Sequence, residues 1–292
     1  MAAEPAIERA AAGRGLAAAW RSTPLLAGSA VLHAAGLAAL GLAPHRWPLV
    51  CAALLADHCA IAGAGLWPRS RLLGPNLSRL PAAAAGRGEV ALTFDDGPDP
   101  EVTPRVLDLL DRHGARASFF CIGRRAAAHP GLVGEIARRG HAVENHSQSH
   151  PHAFVLYPPR ALGREIDRAQ EILARAAGRP PRCFRAPAGL RSLLLEPALA
   201  ARGLALVSWT RRGFDTVRSR PEAVAGRLLA GLSPGDVLLL HDGSSARAAG
   251  GGPVVLAALP RLLDGIAERG LRAVAFESAG TPPLESTGGL GA

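Results

Sequence analysis

The sequence predicts an α/β protein: a distorted (β/α) barrel of about seven strands, preceded by a transmembrane helical hairpin. Three observations carry this. From residue 88 onward, short apolar runs alternate with longer amphipathic stretches, the pattern of βα units around a parallel sheet. Ahead of them stand two apolar runs of about 20 residues each, close to the length that crosses a bilayer. Chemically active residues then collect at the ends of the apolar runs, where a βα barrel carries its site.

The elements follow in order. Residues 1–23 form an Ala- and Arg-rich N-terminal tail. The first apolar run is Pro24 to Ala43, and the second is Trp47 to Trp67, with Pro44-His45-Arg46 between them. Together, as 24–67, they read as a hairpin with Trp47 and Trp67 at its ends, the level at which interfacial aromatics sit. A signal peptide would require a small-residue cleavage site and a polar mature region, and a second apolar run follows instead. Asp57 and His58 weaken the second span, which keeps two buried soluble helices as the alternative. Residues 68–87 read as an Arg/Pro/Gly/Ala linker and 88–277 as the catalytic domain. Strands are expected at 90–94, 117–122, 141–144, 183–185, 204–209, 237–240 and 272–276. Helices are expected after Thr103-Pro104 and over 132–139, 160–177, 221–232 and 254–269. The tail 278–292 is Gly/Pro/Ser/Thr-rich and expected to be disordered.

Composition narrows the partners. The chain is 48% hydrophobic but 4% aromatic, so its core is built from Ala, Leu and Val. Net charge is +9, and every cation is Arg. The residues are scattered and no nucleic-acid module appears, so nucleic acid is not an expected partner. Arg69, Arg71, Arg79 and Arg87 follow the hairpin, Arg9, Arg14 and Arg21 precede it, and only Arg46 lies in its turn. The positive-inside rule places both ends, and the catalytic domain, on the cytoplasmic side of a bacterial inner membrane. Cys51, Cys59, Cys121 and Cys183 form no CxxC pair and read as small buried hydrophobes.

The predicted strand ends supply a chemistry. His146 and His150 are four apart, which on a helical turn places both imidazoles on one side. Two His and a carboxylate, from Asp95 or Asp96, form a facial triad with positions left open. Amide hydrolysis needs an activated water and a proton for the leaving amine. A metal lowers the pKa of its water. One Asp can bind the metal while the other takes the water's proton, with Arg185 to relieve their repulsion. His241 can donate to the leaving nitrogen, and Asp215 can keep it protonated.

This set resembles the polysaccharide deacetylase family, carbohydrate esterase family 4, also called the NodB-homology domain. The resemblance covers about residues 88 to 276. Thr93–Pro98 is similar to the first of its five motifs, His146-Ser-Gln-Ser-His150 to the second and Arg185-Ala-Pro187 to the third. Asp215 falls in the fourth, and Leu239-Leu-His241 is similar to the fifth. The resemblance implies a divalent metal, usually Zn2+, held by Asp96, His146 and His150. It implies Asp95 as base, Arg185 holding it, His241 as acid and Asp215 tuning His241. It further implies a substrate-binding role at Pro187 and Leu239, the latter lining an acetyl pocket.

Two departures bear on substrate. Ala188 stands where the family often has an aromatic, and Arg212-Gly-Phe-Asp215-Thr216 stands where Asp-x-x-Asp-Trp is common. Arg212, with Arg211, is expected to meet an anionic group such as a phosphate on the substrate. The function expected is a membrane-anchored, metal-dependent deacetylase of an N-acetylated carbohydrate, free or lipid-linked. A deacylase of another amide or ester, and a glycan- or lipid-binding pseudoenzyme, are the alternatives. The intact Asp95, Asp96, His146, His150 and His241 oppose the second.

Overall fold

The computed structural model describes residues 22–276; the N-terminal tail up to Arg21, with its orienting arginines, and the tail from 278 onward lie outside them. Helices α1 (Pro24–Leu42) and α2 (Trp47–Leu66) pack as a hairpin joined by a 3-10 turn at Pro44–Arg46. Both are long and apolar enough to cross a membrane by length and composition. The polar interruptions face one another across the hairpin. Ser29 Oγ donates to Asp57 Oδ2 at 2.7 Å, and the His33 and His58 rings meet edge-on at 5.2 Å. Residues that weaken the span as isolated letters therefore tie its two helices together. Cys51 and Cys59 are exposed on the hairpin, contrary to the expectation of burial, because the helices meet along one stripe only. Cys121 and Cys183 are buried as expected.

The stretch read as a linker packs onto the domain. Leu73, Leu80 and Ala84 are buried, the last in the short α3 (Ala82–Gly86). Arg191 N donates to Gly65 O at 3.0 Å, and a Cβ on Gly65 would stand 2.2 Å from Arg191 O, so only Gly permits this approach.

The domain is a curled parallel sheet with helices around it. Its strands are β1 (Glu89–Asp95), β2 (Ser118–Cys121), β3 (Ala142–Asn145), β4 (Cys183–Phe184), β5 (Ala205–Leu206), β6 (Arg211–Arg212) and β7 (Val237–His241). They run in the order β5-β4-β3-β2-β1-β7-β6, and β8 (Arg272–Val274) pairs with the start of β1. The barrel is open between β5 and β6. Backbone bridges from Leu77 to Val207 and from Arg79 to Asp236 cross that gap, so the former linker acts as a stave. Helices α4 (Thr103–Arg112), α5 (Gly123–Ala128), α6 (Pro130–Arg138), α7 (Pro159–Ala177), α8 (Leu195–Ala200), α9 (Pro221–Leu229) and α10 (Val254–Ala267) fill the connections. β6 escaped the sequence reading because two arginines carry no apolar pattern; its pairing is supplied by backbone alone.

Side-chain alternation along the strands sets what faces the interior. On β1, Val90, Leu92 and Phe94 pack outward with Leu238 and Leu240 of β7 beneath the helices. The residues between them face in: Ala91, Val237 and Leu239 join Phe120 and Trp209 in an inner cluster. The same parity sends Thr93 and Asp95 inward. β1 and β7 are in register with Thr93 opposite Leu239 and Asp95 opposite His241, so two titratable groups arrive side by side at the sheet's C-terminal edge.

His141, at the other end of β3, is a packing residue. It is buried against Phe119 and its Nδ1 accepts from Ala117 N. Burial, with help from the Arg116 charge, pulls its pKa down from 6.5 to about 4. Between those values the unfolded chain binds a proton that the folded chain refuses. Stability contributed here is present above pH 6.5 and lost as pH falls toward 4, by up to about 3 kcal/mol. His141→Gln is expected to flatten the fall in urea midpoint between pH 6.5 and 4.5; an unchanged slope would assign the acid sensitivity elsewhere.

Candidate active site

The site lies where β1, β3, β4 and β7 end. β1 passes through Asp95 into a turn in which Asp96 adopts a left-handed backbone (φ 71°). That conformation, uncommon for a non-Gly residue, aims consecutive carboxylates at different partners. The next position has to be Gly97, since a Cβ there would stand 2.3 Å from the Asp242 carboxylate. Asp242 is itself pinned by Thr103 Oγ1 at 2.5 Å.

Asp95 turns to Arg185. The guanidinium Nη1 donates to Asp95 Oδ1 at 2.6 Å and to Thr93 Oγ1 at 2.9 Å, and it lies 4.0 Å over the Phe120 ring. Val207 O accepts from its Nε and Ser208 O from its Nη2, each at 3.3 Å. Thr93 in turn donates to Leu238 O, which leaves its lone pairs for Arg185. Arg185 is the largest wholly buried side chain among the described residues, and four of its five N–H groups are bonded.

Asp96 turns to the histidines. Its Oδ1 stands 3.4 Å from both His146 Nε2 and His150 Nε2. The two histidines do converge, but not on a helical turn as their spacing suggested. They flank an irregular loop after β3, with Ser147 and His150 in left-handed conformations. Asn145 Oδ1 accepts from Ser147 N, and Ser147 Oγ accepts from His150 N, so two short polar side chains wind the loop that a helix would otherwise have to supply. His146 Nδ1 is bonded to Arg185 O at 2.8 Å, which fixes Nε2 toward Asp96.

Burial alone would raise the Asp96 carboxyl, but the His146 contact and the nearby imidazoles hold it far below the usual carboxylate range. Burial opposes charge on His146, yet Asp95 and Asp96 outweigh it and raise its pKa. Burial and the neighbouring His146 lower that of His150.

His241 faces the pair from β7. Its Nδ1 is bonded to Asp215 Oδ1 at 2.9 Å, and its backbone N donates to Asp215 Oδ2 at 2.7 Å. Burial disfavours the imidazolium, but the Asp215 hydrogen bond and charge prevail, and the pKa stands above the ordinary histidine value. The Asp215 bond leaves Nε2 as the free end of the ring.

Asp96 Oδ1 is buried without a hydrogen-bond partner, and Asp96, His146 and His150 bring one donor atom each within 4.8 Å of one another. Two imidazole nitrogens and a carboxylate oxygen suit a divalent transition metal, and an orphaned carboxylate oxygen between them suits little else. A second His/Asp group among the described residues, His33, Asp57 and His58, lies in the hairpin.

Of the other residues singled out, Pro187 is buried at the start of a 3-10 turn directly after Arg185 and Ala186. Leu239 is buried in the inner cluster two positions before His241, on the same side of β7. Arg211 does not stand beside Arg212 as a free cation: its Nε is bonded to Asp236 at 2.6 Å and its other nitrogens to Ala230 O and Gly231 O. Thr93, Asn145 and Ser147 are supporting residues that sequence reasoning passed over. Their signal was position, immediately before or inside the motif residues they orient.

Residues 82–207 match the family model for polysaccharide deacetylase. A chitooligosaccharide deacetylase of Sinorhizobium fredii is 35% identical over 200 residues, spanning 66% of this chain and 93% of that protein. The chain belongs to the polysaccharide deacetylase family. A peptidoglycan-N-acetylglucosamine deacetylase of Bacillus cereus is 33% identical, over 66% of this chain and 68% of the relative. The solved structure of the Bc1960 peptidoglycan N-acetylglucosamine deacetylase superposes with a TM-score of 0.62 at 31% identity, covering 72% and 94% of the two chains. The open barrel described above is thus the architecture of a polysaccharide deacetylase.

Proposed function

We propose that this polysaccharide deacetylase removes the acetyl group from an N-acetylated sugar in a metal-dependent hydrolysis. The observation that carries the reading is the division of labour between adjacent carboxylates. Asp96 faces two imidazoles while Asp95 is held by a buried arginine, and His241 stands beside them on the next strand. The names of the relatives, deacetylases of chitooligosaccharide and of peptidoglycan N-acetylglucosamine, support the substrate class.

Asp96, His146 and His150 would hold the ion, for which we favour Zn2+; when bound it polarises the acetyl carbonyl and acidifies water. Everything else falls to side chains of this chain. Asp95, fixed by Arg185, accepts a proton from the attacking water. The water oxygen bonds to the carbonyl carbon, giving a tetrahedral intermediate. His241, kept protonated and oriented by Asp215, gives its proton to the amide nitrogen as the carbon–nitrogen bond breaks. Acetate and a free amine leave. Leu239 and Pro187 line the apolar end of the site, where a methyl group fits better than a longer or charged acyl chain.

We place the hairpin in a bacterial inner membrane with the catalytic domain on the cytoplasmic face, on the strength of the arginines that follow α2, and take a lipid-linked sugar as the preferred substrate form. Acetate release by the full chain in detergent, metal-loaded and then chelated, is the test. The panel is an N-acetylglucosamine oligomer, a nucleotide sugar and a lipid-linked N-acetyl sugar. Chelation is expected to lower release at least about 100-fold and zinc to restore it. Release that survives chelation would overturn the metal assignment, and release from none of the three by metal-loaded protein would overturn the substrate class.

A further inference from the structure

A cavity of about 570 Å³ opens where the hairpin meets the barrel, and its chemistry is unlike that of the catalytic site. Among its lining residues are Trp67, Arg69, Trp209, Arg212, Phe214 and Arg227. Trp67 and Arg69 follow directly on α2, while Arg212 lies on β6 and Arg227 near the end of α9. No Asp or Glu is among the lining residues. Asp236, the carboxylate beneath this edge of the sheet, is already bonded to Arg79 and Arg211. Arg212 has no ion pair among the described residues; its guanidinium lies 5.7 Å over Trp209 and 5.1 Å over Phe214, and its Nε is buried without a hydrogen-bond partner. Arg227 also lies over Phe214, at 4.8 Å, with no carboxylate partner among the described residues. Four arginines thus line one concavity; Arg211 is paired with Asp236, which leaves Arg69, Arg212 and Arg227 there with no carboxylate partner among the described residues. Like charges gathered this way repel, and the arrangement makes sense around a bound anion.

Trp209 forms a wall common to both regions: Arg212 stacks on it from the cavity and Arg185, which holds Asp95, lies 5.8 Å from it on the inner side. The cavity also begins at the residue where the hairpin ends, the level of the lipid headgroups in the placement above.

We propose that this cavity is a phosphate subsite, in which Arg69, Arg212 and Arg227 take the phosphate or diphosphate ester of the substrate whose N-acetyl group reaches Asp95 and His241. The proposal rests on the deacetylase reading and adds the substrate's second anchoring point. It also replaces the expected partner of Arg212, since Arg211 is spent on Asp236 and the free cations come from distant parts of the chain.

Binding to the full chain in detergent tests it without turnover. Inorganic pyrophosphate and a polyprenyl diphosphate in mixed micelles serve as probes, with the uncharged polyprenol as blank, read through quenching of tryptophan fluorescence. The double variant Arg212→Gln/Arg227→Gln is expected to weaken diphosphate binding about tenfold or more. A charge-matched control, Arg112→Gln/Arg175→Gln, alters exposed arginines outside the cavity and is expected to bind as the parent does. Saturable binding of both probes would identify a free phosphate as sufficient; binding of the polyprenyl probe alone would identify the lipid-borne form. Affinities that ignore Arg212 and Arg227, or fall equally in the control, would overturn the subsite, as would no binding of either probe. An enzyme that binds in the arginine-dependent way yet releases no acetate would sink the deacetylase reading and leave the subsite standing. Acetate release from a diphosphate-linked sugar with a KM indifferent to the double variant would do the reverse.

Discussion

Asp95→Asn is expected to lower the turnover number about 100- to 10,000-fold, the range a positioned general base contributes, while leaving the fold intact. The amide keeps the size of the carboxylate and its oxygen can still accept from Arg185, so the 2.6 Å contact has a substitute. What the amide lacks is a site for the water's proton. The measurement is acetate release from an N-acetylglucosamine oligomer, alongside bound metal and the thermal midpoint of the variant. Metal content decides between two roles, because Asp95 Oδ2 also lies 3.8 Å from His146 Nε2. Loss of turnover with metal retained fits a base. Loss of metal together with turnover would make Asp95 a ligand, and turnover within tenfold of the parent would move the base elsewhere.

The second large effect is on stability as well as rate. Arg185→Met removes a guanidinium that is 1% exposed and that serves Asp95, Thr93, Val207 and Ser208 at once. The methionine can fill the space against Phe120, but it leaves the Asp95 carboxylate buried without its cation and two carbonyls without a donor. Breaking a buried pair from one side costs about 3–5 kcal/mol, against a total of about 5–15 kcal/mol for a domain. Urea unfolding should show a loss of that size. Adding Asp95→Asn to Arg185→Met should recover part of it, because the stranded charge is gone. A single-variant cost under about 1 kcal/mol would mean that water or another cation reaches Asp95 on its own. Activity should fall in either background.

The parts of this molecule that could be read from the letters are those in which one residue's chemistry settles its place. β1 and β7 are buried along their whole length, so their runs of Val, Leu and Phe mark them and their parity fixes Asp95 and His241 inward. That Asp96, His146 and His150 stand together was legible from the family's motifs, whereas the residue types alone left Asp95 and Asp96 interchangeable. What could not be read depends on backbone. The loop from His146 to His150 is wound by left-handed residues, and a spacing of four says nothing about φ. β6 has two arginines for a sequence and takes its identity from pairing with Leu238 and Leu239. The stave over residues 77–79 looked like a linker because its composition is that of one, and its role lies in two main-chain bridges. Arg227 is near Arg212 only in space, through the packing of α9 against β6.

The junction between α2 and the stave has a mechanical consequence. α2 ends one residue before Trp67, Gly65 is bonded to Arg191, and Asn76 reaches back to Pro68 and Ser70, so the chain has no slack where it leaves the hairpin. A domain on a loose leash can search a volume set by the length of the leash. This one has no leash. With the hairpin in a bilayer, its catalytic mouth would stay at one height and one tilt above the lipid. A substrate carried in the same bilayer would then meet that mouth by lateral diffusion in two dimensions.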